Sequence, residues 1–213
     1  MKIISFLVFF ICCLLLNPIV QNDWELIRKK NNIEVYSRAV EKSEIRELRA
    51  ITTVDSDLSN LVAIIHDVEY YPNWVFRASK AEVLKRVSET EFYYYQVTEA
   101  PWPISNRDMI VHVKFSQNPE SKEVLVILDG VPDYIKEKPG IVRVPNFNGK
   151  WVFTPLENGT IRIIHKLFIE PKGDIPNWLV NRAAVEGPYS TLLNMKTIIN
   201  KDRFSNRTFR FLK

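Results

Sequence analysis

Alternating apolar and polar positions predict a series of β-strands through the middle of the chain. The strand-like runs lie at 33–38, 45–54, 81–88, 91–98, 108–116, 123–129, 141–154 and 160–170. Turn-forming pairs such as Asn118-Pro119, Pro139-Gly140 and Asn158-Gly159 separate several of them. Because consecutive strands with short connections pair with their neighbours, the pattern predicts one antiparallel sheet, with a short helix ahead of the first strand.

Two segments have the spacing of helices instead. Asp57 is a candidate N-cap for a short amphipathic helix over 58–66, and a helix of about 25 residues is predicted to begin near Ile175. Gly187-Pro188 falls inside the longer helix, where proline predicts a kink or a break. The apolar residues along its broad side are Trp178, Leu179, Ala183, Leu192, Met195 and Ile199. This order of elements predicts an α+β domain in which the long helix covers the concave face of the sheet.

The first 21 residues have the layout of an export signal. Lys2 precedes an apolar run over residues 3–16, which is short for a transmembrane helix and contains both cysteines of the chain. Because the residues around Val20 are not the small ones of a typical cleavage site, an uncleaved membrane anchor is the alternative. We therefore expect an exported protein, periplasmic or secreted, with a domain over 22–200 followed by a tail over 201–213.

The composition fits a globular domain and argues against nucleic acid as the partner. The 213 residues are 46% hydrophobic and 12% aromatic, which is enough to form a substantial core. The formal net charge of +4 is too small and too dispersed for a nucleic-acid-binding surface. Basic residues are concentrated over 196–213. This end of the chain is a candidate contact for an anionic membrane, and a solvated C-terminus is the alternative.

Four motifs occur in an order and spacing that resemble a known family. They are Tyr70-Tyr71-Pro72-Asn73-Trp74, Pro101-Trp102-Pro103-Ile104-Ser105-Asn106-Arg107-Asp108, Gly140-Ile141-Val142-Arg143-Val144 and Gly173-Asp174-Ile175-Pro176-Asn177-Trp178-Leu179-Val180-Asn181. Together they resemble the START (StAR-related lipid transfer) domains, and the phosphatidylcholine-transfer-protein-like branch is the most similar. The resemblance implies a helix-grip fold, in which a curved antiparallel sheet wraps around the long C-terminal helix and encloses a lipid. The lid that it implies consists of this helix and the loop over 100–106, and includes Trp102, Pro103, Trp178, Leu179 and Ala183.

The alternation along the strands gives candidate lipid-binding residues. Arg107, Met109, Val111 and Val113 share the more apolar face of their strand, which we expect to point into the cavity. A buried Arg107 needs a carboxylate, phosphate or carbonyl partner, and for Arg107 and Asp108 we favour a structural salt bridge over contact with the ligand.

Aromatic and basic side chains of other strands extend this set. Tyr93, Tyr95 and Val97 share a face that we also place on the cavity, because tyrosine combines apolar contact area with a hydroxyl for a ligand head group. Arg143 and His165 complete the candidates, the latter because it lies in the middle of a strand with apolar neighbours on its own face.

The resemblance also bears on the head group. It places Tyr95, Val97 and Phe147 at the positions of the aromatic cage that holds choline in the phosphatidylcholine-binding branch. Tyr71 and Gly149 stand where that branch has its phosphate contacts, and Val113 stands where sterol-binding members have a basic residue. The lipid is therefore left open between a phospholipid, a sterol and a fatty acid.

Two other functional classes compete with lipid binding. An enzyme would use a cavity-facing histidine, with His165 near Arg143 or Glu170 as the first candidate, yet the chain contains no metal, cofactor or nucleophile motif. A structural module that binds a protein partner would have a filled core without a cavity. We expect a monomeric, non-enzymatic protein that meets a membrane surface transiently and needs no cofactor or metal.

Overall fold

The computed structural model describes residues 24–173, 175 and 177–213, without the side chains of 177, 178, 181 and 182. The predicted export segment and the proposed first residues of the long helix, Asp174 and Pro176, lie outside the described residues.

One large sheet dominates the fold. Its strands are β1 (Glu25–Lys30), β2 (Ile33–Val40), β3 (Ser43–Val54), β4 (Ala78–Ser88), β5 (Glu91–Thr98), β6 (Arg107–Gln117), β7 (Val124–Gly130), β8 (Val142–Arg143), β9 (Asn146–Pro155) and β10 (Ile161–Glu170). Their order in the sheet is β1-β2-β3-β10-β9-β7-β6-β5-β4, antiparallel throughout, and the two-residue β8 pairs with β6 in parallel. The predicted curved antiparallel sheet is confirmed.

The start of the domain differs from the sequence prediction. Residues 25–30 form an edge strand that pairs with β2, and not the expected short helix. Asn31 and Asn32 both have positive φ angles, 54° and 56°, as a two-residue hairpin turn of type I′ requires. The charged character of β1 suits an edge strand, because lysine and arginine discourage pairing with another chain.

Two short helical elements follow β3. Helix α1 (Leu58–His66) has the predicted bounds, and its buried side chains include Leu61, Val62 and Ile64. Asp57 is its N-cap residue, but its side chain makes no capping hydrogen bond, and its carbonyl accepts from the backbone N–H of Asn60 instead. A 3₁₀ turn over Val68–Asn73 contains the first four residues of the motif over 70–74, with Trp74 directly after it, and leads into β4.

Helix α2 (Asn177–Ile198) continues through Pro188 without a break. Its C-terminal half is buried in the core, where Leu192, Met195 and Ile198 are at most 3% exposed. Its N-terminal half covers an open space above the sheet instead. No helix among the described residues is long and apolar enough to cross a membrane.

The C-terminal segment after α2 packs onto the domain. Phe204 is 1% exposed, and Phe209 and Phe211 lie against the same core. Arg203 forms an ion pair with Asp67, at the end of α1. The aromatic side chains of the predicted tail are therefore engaged with the protein rather than available to a membrane.

Candidate functional site

A cavity of about 560 Å³ lies between the concave face of the sheet and the N-terminal half of α2. Side chains from β3, β5, β6, β9, β10 and the 3₁₀ turn form its walls, and most of its lining is apolar. The helix contributes Leu179, Val180, Ala183, Ala184 and Gly187 to the remaining wall. Since a filled core is what a purely structural module would have, the cavity favours the binding of a small molecule.

A band of rings runs along one wall of this cavity. Ring centroids are 5.3 Å apart for Tyr94 and Tyr71, 5.3 Å for Tyr71 and Trp74, and 6.1 Å for Trp74 and Trp151. His165 ends the band, stacked on Trp151 with a centroid distance of 3.7 Å. All five residues line the cavity, so its wall is both apolar and rigid.

The polar groups of this aromatic band are neutral. Burial lowers the pKa of His165 to about 3, so its imidazole is uncharged at neutral pH. His165 Nδ1 and Trp74 Nε1 are buried without a hydrogen-bond partner among the described residues. Tyr71 donates its hydroxyl to the Ile65 carbonyl at 2.7 Å, and burial raises its pKa. The inner wall can therefore offer hydrogen bonds to a ligand but no charge.

Arg107 stands on the cavity wall, and no acidic side chain of the described residues pairs with it. Its Nη1 donates to the Ser105 carbonyl and its Nη2 to the Lys172 carbonyl at 3.4 Å, while Nε is buried with no partner. Among the described residues, no carboxylate lies within ion-pair distance of its guanidinium. Partial burial lowers the pKa of Arg107, because desolvation disfavours the charged guanidinium. The favoured structural salt bridge is therefore not formed by Arg107 among the described residues, and its partners are backbone carbonyls, which the sequence analysis also allowed.

Asp108 pairs with Arg143 on the other side of the sheet. Arg143 Nε donates to Asp108 Oδ1 at 2.7 Å and Nη2 to Oδ2 at 3.1 Å, and both side chains are almost completely buried. The same guanidinium also donates to the carbonyls of Pro132 and Ile135. Arg143 therefore holds the loop after β7 against β6, and its assignment to the cavity is wrong.

Tyr93, Tyr95 and Val97 also lie outside the cavity, contrary to the sequence prediction. Tyr93 stacks between His112 and Tyr134, with centroid distances of 4.2 and 4.6 Å. Tyr95 and Val97 belong to a second buried cluster, with Ile110 at its centre. The choline cage implied by the resemblance is not assembled, because only its third member, Phe147, lines the cavity.

The register between β5 and β6 explains this correction. Directly paired residues of antiparallel strands point to the same side of a sheet. Tyr95 pairs with Ile110 and Gln96 with Met109, so the even-numbered residues of β5 share the cavity face with Arg107 and Met109. The cavity-lining residues missed from the sequence include Trp74, Tyr94, Gln96, Thr98 and Trp151. The first START-like motif, which ends at Trp74, was a signal for one of them.

The remaining candidates divide between the cavity and the core. Met109, Phe147 and His165 line the cavity as predicted. Val111 and Val113 share the inward face of β6 but are fully buried in the core beyond it. Tyr71 lines the cavity, whereas Gly149 faces the Phe147 ring, where an added Cβ would lie 3.1 Å from Cζ.

The proposed lid residues lie at the mouth of the cavity. Ala100 and Pro101 border it, and Trp102 projects from the tip of their loop with 93% of its surface exposed. Pro103, beside it, is exposed as well. Leu179 and Ala183 line the cavity from α2, whereas the side chain of Trp178 lies outside the described part of the structure.

The described residues do not assemble the catalytic set considered for an enzyme. His165 lies in the cavity, but Arg143 is on the other side of the sheet, and Glu170 accepts a hydrogen bond from Asn146 Nδ2 at 3.2 Å. His112 pairs with Glu91 at 2.7 Å outside the cavity. Within residues 24–173, 175 and 177–213, no cluster of histidine, cysteine and acidic residues could hold a metal ion.

A curved sheet that grips a C-terminal helix around an apolar cavity defines a helix-grip domain. The START domain model matches residues 15–195, and the chain therefore belongs to the START family. This confirms the resemblance drawn from the four motifs.

Relatives of known sequence or structure agree with this assignment. An uncharacterized protein of Pseudomonas aeruginosa is 28% identical, over 84% of this chain and 88% of its own length. The phosphatidylcholine transfer protein of Rattus norvegicus is 25% identical, over 81% and 82%. The structure of a STAR-related lipid transfer protein fragment from Xanthomonas axonopodis is 31% identical, with a TM-score of 0.77 over 83% of this chain and 98% of that one.

Proposed function

We propose that this protein binds one lipid in its cavity and exchanges it with a membrane surface. The observation that carries the proposal is the apolar cavity of about 560 Å³ beneath α2. The names of the relatives support it, since one is a phosphatidylcholine transfer protein and another a STAR-related lipid transfer protein.

Removal of the hydrocarbon chain from water would drive binding. Each buried CH₂ group contributes about 0.8 kcal/mol, so a chain of about ten such groups gains several kcal/mol even after the loss of its own freedom. A membrane offers the chain a similar apolar environment. Exchange between membrane and cavity is therefore nearly balanced, as a carrier requires, while release into water is strongly disfavoured.

The N-terminal half of α2 is suited to act as a movable lid, and its C-terminal half as the fixed base of that lid. After Pro188, Leu192 and Met195 are anchored in the core, whereas Leu179, Ala183 and Gly187 before it line the cavity. Near this boundary, Glu186 accepts from Arg28 Nη1 at 2.5 Å, and Tyr189 lies beneath the same guanidinium. Pro188 cannot donate to the Ala184 carbonyl, so one helical hydrogen bond is missing between the halves. We propose that the N-terminal half moves aside at the membrane, together with the loop that carries Trp102.

The proposal also covers catalysis, cellular location and oligomeric state. We propose that the protein acts without catalysis, that residues 1–21 direct its export, and that it works as a monomer. Intact mass measurement of the protein from its native compartment would show whether the segment is removed, and sedimentation would give the oligomeric state.

A vesicle exchange assay tests the proposed function. Donor vesicles carrying a self-quenched fluorescent lipid are mixed with unlabelled acceptors, and the protein should accelerate dequenching. Ala184→Trp, which fills part of the cavity, should slow this exchange severalfold, whereas the same change at the exposed Ala39 of β2 should not. Exchange that is no faster with the protein than without it would contradict the proposal, and so would equal rates for two folded variants.

A further inference from the structure

The cavity volume limits the size of the ligand. At roughly 30 Å³ for each water-sized group, about 560 Å³ holds on the order of 20 non-hydrogen atoms. A fatty acid with about 18 carbons matches this number. A diacylphospholipid has more than twice as many non-hydrogen atoms, so part of it would extend out of the open mouth of the cavity.

The charges around the cavity indicate where a polar head would lie. The inner wall offers only neutral partners, of which His165 is one, so a charged head there would lose its hydration without compensation. The charged residues that line the cavity retain at least partial solvent exposure, as expected near its mouth; they are Glu44, Arg46, Arg77, Glu99, Arg107 and Glu186.

Among these charged residues, Arg107 is the one best placed to bind an anionic group. Glu186 is neutralised by Arg28, and Arg46 by Glu25 at 3.0 Å. Arg77 is exposed to solvent, so water can compensate its charge. Arg107 is half-buried, and within the described part of the chain one of its N–H groups is buried without a partner, while the others donate only to the backbone carbonyls of Ser105 and Lys172. A carboxylate or phosphate would satisfy both its free N–H and its charge.

We propose that the natural ligand is a single-chain lipid with an anionic head, whose carboxylate or phosphate binds Arg107 while its chain lies along the aromatic band. This inference rests on the proposed lipid-binding function and narrows it to a ligand class. The side chain of Tyr71 is consistent with this ligand class. Tyr71 stands where the phosphatidylcholine-binding branch has a phosphate contact, but its hydroxyl donates to the Ile65 carbonyl and supplies no charge for a phospholipid phosphate.

Binding of four probes to the full-length protein tests the proposal. The probes are oleate, oleyl alcohol, oleoyl lysophosphatidate and dioleoylphosphatidylcholine, each titrated by tryptophan fluorescence. Oleate should bind at least about tenfold more tightly than oleyl alcohol, because a hydrogen bond to a charged group is lost in the alcohol. Comparison of oleate with lysophosphatidate shows whether Arg107 prefers a carboxylate or a phosphate, and tight binding of either one supports the proposal.

Variants show whether Arg107 is the anion-binding group. Arg107→Met should abolish the preference for oleate over oleyl alcohol, and Arg107→Lys should retain part of it. Arg162→Met is the matched control, since Arg162 is exposed on β10 and directed away from the cavity. Near-ultraviolet circular dichroism identifies folded variants, and the lysine variant serves if the methionine variant does not fold.

The outcomes separate this inference from the proposed function. Equal affinities for oleate and oleyl alcohol, or an undiminished preference in folded Arg107 variants, would overturn the inference. Tight binding of dioleoylphosphatidylcholine with no binding of the single-chain acids would overturn it too, yet leave lipid binding intact. Failure of all four probes to bind would instead contradict the proposed function itself.

Discussion

Arg143 and Asp108 form a bidentate salt bridge in which both side chains are almost fully buried, with hydrogen bonds of 2.7 and 3.1 Å. The pair joins β8 to β6 and also fixes the loop that contains Pro132 and Ile135. It lies on the side of the sheet opposite the cavity, so its role is structural rather than ligand binding.

Loss of Arg143 should therefore destabilise the protein strongly. Arg143→Met leaves the Asp108 carboxylate buried without its partner, and we expect the free energy of unfolding in urea to fall by about 3–5 kcal/mol. Asp108→Asn combined with Arg143→Met should recover part of the loss, because the buried charge is then gone. A loss below about 1 kcal/mol for Arg143→Met would show that the pair is unimportant to the fold.

Adjacent tyrosines of β5 provide a matched test of the cavity face. Tyr94 lines the cavity and Tyr95 belongs to the cluster on the other side, although both are buried. Tyr94→Leu should weaken lipid binding severalfold, while Tyr95→Leu should lower stability and leave affinity unchanged. Titration of both folded variants with one lipid measures their affinities. Weaker binding by Tyr95→Leu and unchanged binding by Tyr94→Leu would support the aromatic cage around Tyr95 instead.

Two partly buried histidines should make stability depend on pH. Burial lowers the pKa of His165 to about 3, and burial together with Arg86 lowers that of His66 to about 4. Below a pH of about 6.5 the unfolded chain takes up protons at these sites and the folded protein does not. The free energy of unfolding should therefore fall between pH 7 and 5, by up to about 1.4 kcal/mol per pH unit for each histidine.

Substitution of each histidine separates its contribution to the pH dependence of the unfolding free energy. His165→Gln should reduce the slope of unfolding free energy against pH by one histidine's share, and His66→Gln should do the same independently. Urea unfolding at several pH values gives these slopes. An unchanged slope in His165→Gln would mean that its imidazole is accessible to protons in the folded protein.

Trp102 should act at the membrane rather than in folding. It is 93% exposed beside the mouth of the cavity, so Trp102→Ala removes no buried contact. We expect an unchanged melting temperature but slower lipid exchange and weaker co-sedimentation with vesicles. Val87→Ala, at an exposed apolar residue of β4, is the control and should change neither property. Full exchange activity in the Trp102 variant would exclude this residue as a membrane contact.

Much of the fold follows from local pattern. Helix α1 and strand β5 have the predicted bounds because the spacing of their apolar residues is marked in the sequence. Strand β1 was missed because its charged residues show no alternation and its pairing depends on the turn at Asn31 and Asn32. That asparagine pair was the available signal for a hairpin.

The cavity was harder to predict than the fold because strand faces depend on register. Strand β5 is buried on both sides, so alternation divides its residues into two sets without showing which set faces the ligand. Pairing of Gln96 with Met109 decides this, and it is a long-range contact. The partner of Asp108 was missed for the same reason, since Arg143 is 35 residues away in sequence.

Native mass spectrometry of the purified protein after exposure to a mixed lipid extract tests the central claim most directly. We expect one lipid per protein molecule, retained in the gas phase, and loss of that adduct in Ala184→Trp but not in Ala39→Trp. A protein that emerges without any lipid, although it is folded and the extract is in excess, would contradict the claim that this cavity is a lipid-binding site.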